Sequence, residues 1–173
     1  MSRTNTHKQI KKIILIANLI AVSVIFSYFD KIISQAILPF LPTAKIGLAN
    51  IVILIGVYNF DFKDTLVMTV LKATLNGLLF GSPISFVISF IASISAFFGM
   101  YIAYKILKDK VSSVSISVIG GFIHIVMQLV VVNFIYKIGD AILYYGAIMI
   151  LISLITSIII GYVTLKLIPY FEK

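Results

Sequence analysis

Apolar runs of near-membrane length recur about six times along the 173-residue chain, near 11–29, 45–60, 63–80, 84–106, 112–136 and 141–168. A transmembrane helix needs about 20 apolar residues, so the second run is short by that measure. Turn chemistry separates the runs: Pro39 and Pro42, Asp61 to Asp64, Gly81-Ser82-Pro83, Lys108 to Lys110 and Gly139-Asp140. Segment length favours helices over strands. The pattern predicts an all-α integral membrane bundle of six transmembrane helices, one domain over 1–173. Residues 1–10 read as a cytoplasmic tail and 31–44 as an outer capping loop. The prolines of that loop stand among Ile, Leu and Phe, which points to a structured cap on the membrane face. The amino end resembles a signal peptide, but its long apolar run and Asp30-Lys31 mark it as a retained first helix.

Polar residues interrupt these runs selectively. In the third, Thr65, Thr69, Lys72 and Asn76 follow helical spacing and share one face. Lys72 falls near mid-run, about 13 Å from either helix end, too far for its side chain to reach water. The acids on the outer side, Asp30 and Asp140, do not sit at that depth in sequence. Three readings stay open: Asp30 folds inward to meet Lys72, Lys72 is neutral, or a ligand supplies the counter-charge.

In the fifth run Gly120, His124 and Gln128 share a face, as an interhelical hydrogen-bonding pair or as the wall of a cavity shared with the third helix. Ser23, Ser27 and Asp30 align on the first. Asp30 reads as an interfacial carboxylate, a ligand contact, or the partner of Lys45 or Lys72. The second run opens on Lys45 and Asn50. A lysine at a helix amino end opposes the macrodipole and is better placed beside an anion. Small residues at every fourth position form ridges: Ala17 and Ala21; Ser85, Ser89 and Ser93; Ser95, Gly99 and Ala103; Ser153, Ser157 and Gly161. Such ridges pack helices closely, within the bundle or against another membrane subunit.

Composition agrees with a membrane protein: 61% of residues are hydrophobic and 12% charged, against about a quarter charged in soluble domains. The net charge is +8. With both termini in the cytoplasm, ten of the fourteen Lys and Arg face that side, while Lys31 and Lys137 face outward. This asymmetry accounts for most of the charge without nucleic acid. Absent cysteine excludes thiolate chemistry. There is no phosphate-binding G-x-x-x-x-G-K-[ST] loop. Asp61 and Asp64 are a single close acid pair, too few for a magnesium–diphosphate site. The second histidine, His7, lies in the tail, so no metal set forms around His124. No catalytic residue and no cofactor are expected, and the chain reads as a non-enzyme.

The stretches KIGLANIVIL (45–54), LKATLNGLLFGSPISF (71–86) and GGFIHIVMQLVV (120–131) resemble motifs of the bacterial Gx transporter family, often labelled heptaprenyl diphosphate synthase component I. The resemblance runs from roughly 10 to 165. That family is related to the S components of energy-coupling factor (ECF) transporters. These six-helix proteins bind vitamins or related micronutrients near the outer face, and work with a membrane T subunit and two ABC-type ATPases.

The resemblance implies solute-binding roles for Lys45, Asn50, Lys72, Asn76, His124 and Gln128, with Asp30 where an acid, often glutamate, is expected. It also implies a T-subunit contact at Ala17 and Ala21. Ile125 and Met127 stand where the motif has Asn and Gly, which narrows the pocket. The expected function is uptake of a small, anionic, vitamin-like or cofactor-precursor molecule across the bacterial cytoplasmic membrane, energised by partner ATPases. The alternatives are a membrane subunit associated with prenyl diphosphate or quinone synthesis, and a non-transporting scaffold.

Overall fold

A computed structural model describes residues 3–37, 47–80, 82–107 and 110–171. Its described residues form six helices: α1 Arg3–Ile37, α2 Asn50–Asn59, α3 Phe62–Phe80, α4 Pro83–Leu107, α5 Ser113–Tyr136 and α6 Ala141–Phe171. Four of them, α1, α4, α5 and α6, contain stretches long and apolar enough to cross a membrane. Their outward faces are apolar as well: Ile106 is 73% exposed and Phe134 83%. Such a surface is stable against hydrocarbon and unstable against water. This is a helical membrane protein.

Local sequence explains where the helices start and stop. Ser82 Oγ accepts the Ser85 N–H, and Pro83 takes the first helical position of α4, where its missing N–H costs nothing. Ser112 caps α5 in the same way, accepting from Ser115 N at 3.3 Å. At the far end of α5, Lys137 adopts a left-handed conformation and Gly139 follows with φ +66°, reversing the chain into α6.

Two boundaries differ from the sequence expectation. α1 starts at Arg3, inside the stretch read as a tail, and continues to Ile37, seven residues into the stretch read as a loop. Asp30 and Lys31 look like a helix end only if both face water. Asp30 instead turns inward, and Ile32 and Ile33 extend the apolar outer face. The remainder of the expected loop, 38–44, lies outside the described residues.

The second run also differs. It yields a helix of 10 residues, about 15 Å long, half of what a span needs. Residues Asn50 to Val57 are all buried. α2 is therefore a central helix covered by protein on every side, touching each of the other five. Around it α3, α4, α5 and α6 pack in chain order, and α1 rests on α2 and α3.

The antiparallel connections divide the bundle in depth. At one end Lys12 bridges Asp61, at 3.0 Å, and Asp64, tying the start of α1 to the start of α3. The core on this side is apolar. Leu19, Ile53, Leu54, Met68, Phe97, Met100 and Ile116 form it, closed by the tilted and edge-on ring contacts of Phe62 with Phe97 and Tyr101. At the other end Lys31 Nζ donates to the Phe80 carbonyl at 2.9 Å, a favourable place for a cation beside a helix carboxyl terminus. Between that end and the apolar plug, the interior is polar.

α5 and α6 meet through small residues. Ser113 Oγ donates to the Gly161 carbonyl and Ser153 Oγ to the Gly121 carbonyl, each at 3.1 Å. Interhelical bonds of this kind contribute about 0.6 kcal/mol apiece. They require backbones close enough for a side-chain hydroxyl to reach across, which is why glycine stands at both acceptors. The ridge Ser153, Ser157 and Gly161 serves packing within the bundle.

Candidate functional site

Five helices and the turn before α2 supply a small buried polar cavity. Its lining includes Ser27 and Asp30 of α1, Gly47 and Asn50 at the start of α2, Lys72 and Asn76 of α3, Ser89 and Ser93 of α4, and His124 of α5. These side chains, save the glycine, are at most 6% exposed. The open space is about 20 Å³, enough for roughly one water molecule.

Helical spacing brings them together. Lys72 and Asn76 are one turn apart on the inner face of α3, below which Thr65 and Thr69 return their hydroxyls to carbonyls one turn back. Lys72 Nζ donates to Asn50 Oδ1 at 2.9 Å, and Asn76 Nδ2 donates to Ser27 Oγ at 2.6 Å. A lysine at the centre of a bilayer costs about 3 kcal/mol to insert even when it can relax. Here it lies inside the bundle, with an amide oxygen to receive it.

Asp30 anchors the entry to α2. Its carboxylate oxygens accept the Gly47 N–H at 2.9 and 3.2 Å. Gly47 has φ +96°, a conformation that side chains rarely adopt. A Cβ there would also lie 3.0 Å from Asn50 Nδ2 and 3.9 Å from the His124 ring. The turn thus delivers the amino end of α2 to the same place as Lys72 and His124.

A hydrogen bond to a charged group contributes about 1.5–3 kcal/mol. Asp30→Ala is accordingly expected to lower unfolding free energy by about 2 kcal/mol, read by thermal unfolding in detergent. Asp30→Asn keeps an acceptor for Gly47 and should recover more than half of that loss. Equal losses in the two variants would show that the clamp on Gly47 is not what Asp30 contributes.

The structure unites Asp30, Asn50, Lys72, Asn76 and His124 in one cavity. Of the readings open for Lys72, an inward-turned Asp30 agrees best, since both charged residues line the same space. Gln128 is buried one turn beyond His124 but outside the present lining. Lys45 lies outside the described residues. Ser89 and Ser93, which spacing alone assigns to a packing ridge, line the cavity instead. Their one available clue was position: on α4 they match the depth of Lys72 and Asn76 on α3. Ala17 and Ala21 are exposed on the flank of α1 away from the cavity, with Asn18 exposed beside them.

Among the described residues no group of three His, Cys, Asp or Glu side chains is placed to hold a metal ion. The close acid pair Asp61 and Asp64 is engaged by Lys12 at the opposite end of the bundle from the cavity. A family model described as heptaprenyl diphosphate synthase component I matches residues 19–167. Searches of curated proteins and of solved structures each found no match.

Proposed function

The chain belongs to the heptaprenyl diphosphate synthase component I family, and from that premise we propose that it is a solute-binding membrane subunit of the S-component type. It would take up a small vitamin-like or cofactor-precursor molecule from outside the bacterial cytoplasmic membrane, with both termini in the cytoplasm. The observation that carries this reading is the polar cavity. A cation, a carboxylate, an imidazole and two amides from four helices converge inside an apolar bundle, off-centre toward one end. Intramembrane ionisable groups are expensive and mark substrate paths. The apolar plug on the other side supports loading from a single face.

Ligand pockets for small molecules usually exceed about 300 Å³. A cavity of about 20 Å³ must widen to admit such a solute, by movement of α1. The wall built by α1 is the natural one to move, because α1 packs on α2 and α3 and not on α6 among the described residues. ATP hydrolysis would fall to partner ATPases joined through a membrane T subunit, docking on the exposed flank with Ala17 and Ala21.

The family description itself favours a second reading, a membrane subunit associated with prenyl diphosphate synthesis. Co-expression separates the two. With a T subunit and two ABC-type ATPases, the wild-type chain is expected to co-purify as a complex, and Ala17→Phe/Ala21→Phe to lose about nine-tenths of it while folding normally. Failure of the wild type to assemble, together with magnesium-dependent prenyl transfer alongside a soluble partner, would replace the transport reading with the second.

A further inference from the structure

Among the described residues, two buried amide oxygens in the polar half of the bundle lack a donor. Asn76 Oδ1 receives none, although its Nδ2 is bonded to Ser27. Gln128 Oε1 receives none either, and Gln128 is 1% exposed. A buried polar group without a partner is costly in any protein, and more so inside a membrane-embedded bundle. A leucine at 128 would fill similar space without that cost. Residues held against stability in this way are typical of sites kept for a ligand. Asn59 Oδ1 and Thr164 Oγ1 also lack partners, but they sit toward the opposite end, away from the cavity.

Charge points the same way. Lys72 and Asp30 line one space, so their formal charges offset each other within it. A ligand carrying net charge would upset that balance where the dielectric is low. We propose that the site, once widened past His124 as far as Gln128, grips its solute by an uncharged polar end that presents N–H or O–H donors, such as a carboxamide, to Asn76 and Gln128. This refines the solute-binding reading and rests on it. It differs from the anionic solute expected from the sequence, because a carboxylate of the chain, Asp30, lines the same cavity as Lys72.

Matched probes test it. The full chain in lipid nanodiscs is titrated, by saturation-transfer NMR, with nicotinamide against nicotinate and with benzamide against benzoate. Each amide is expected to bind about tenfold more tightly than its carboxylate, a ratio worth one well-made donor contact. Gln128→Leu should erase the preference and leave ligand-free thermal stability unchanged or raised. Tighter binding of the carboxylates, binding by none of the four, or a destabilised Gln128→Leu protein would each overturn the proposal. The solute-binding reading is judged separately, by whether denatured wild-type protein releases any stoichiometric small molecule. Release of a carboxylate or phosphate compound with no donor-bearing neutral end would sink this proposal and leave that reading standing.

Discussion

Lys72→Ala protein, dialysed against a cell extract and profiled for retained metabolites, is expected to hold about a hundredth or less of what the wild type holds. The side chain is 4% exposed and its Nζ meets Asn50 Oδ1 at 2.9 Å. Truncating a buried, hydrogen-bonded charge in a binding site costs about 2–5 kcal/mol, and each 1.4 kcal/mol is tenfold in affinity. Two effects add here. Asn50 loses the group that orients its amide into the cavity, and Asp30 loses the cation that offsets its charge. Lys72→Arg keeps the charge but overfills a space of about 20 Å³, so it should not restore retention. Retention equal to wild type in Lys72→Ala would remove this residue from the site.

The largest effect on folding is expected at Gly161. A Cβ at this position would lie 2.5 Å from Val114 Cα and 3.0 Å from Ser117 Cβ. The first neighbour is backbone and cannot turn aside, so α5 and α6 must separate. Separation would also break the Ser113 bond to the Gly161 carbonyl. Overpacking commonly costs about 1–3 kcal/mol and occasionally more. Gly161→Val is expected at the upper end of that range, about 3 kcal/mol, measured by unfolding in mixed micelles. Gly139→Ala makes a useful contrast. No neighbour lies within 4 Å of a Cβ there, and the cost is confined to its left-handed backbone, about 1 kcal/mol. Comparable losses at the two glycines would mean that close approach of α5 and α6 contributes little.

Much of the site is legible in the sequence, for a physical reason. Hydrocarbon penalises polar groups so heavily that they survive only on faces turned toward one another. The spacing of Lys72 with Asn76, and of Ser27 with Asp30, therefore identifies inner faces, and the depth of His124 matches them. What escapes such reasoning is whatever hydropathy cannot distinguish. Lipid and protein interior are equally apolar, so α2, buried from Asn50 to Val57, looks like a short span. Serine is small as well as polar, so Ser89 and Ser93 look like packing residues. A carboxylate near a helix end looks solvated, so Asp30 hides both the true length of α1 and the clamp on Gly47. That clamp could not be read at all, because a hydrogen bond to a backbone N–H leaves no mark on the partner's identity beyond the glycine itself.

The central claim is that the buried cluster of Asp30, Asn50, Lys72, Asn76 and His124 is a solute site rather than a structural polar knot. Native mass spectrometry of the wild-type chain ejected from nanodiscs tests it most directly. The account predicts a population heavier than the bare chain by one small-molecule mass, and its disappearance in His124→Ala, whose ring lies beside Gly47 at the head of α2. A spectrum showing bare chain and bilayer lipid alone, identical in wild type and His124→Ala, would contradict it.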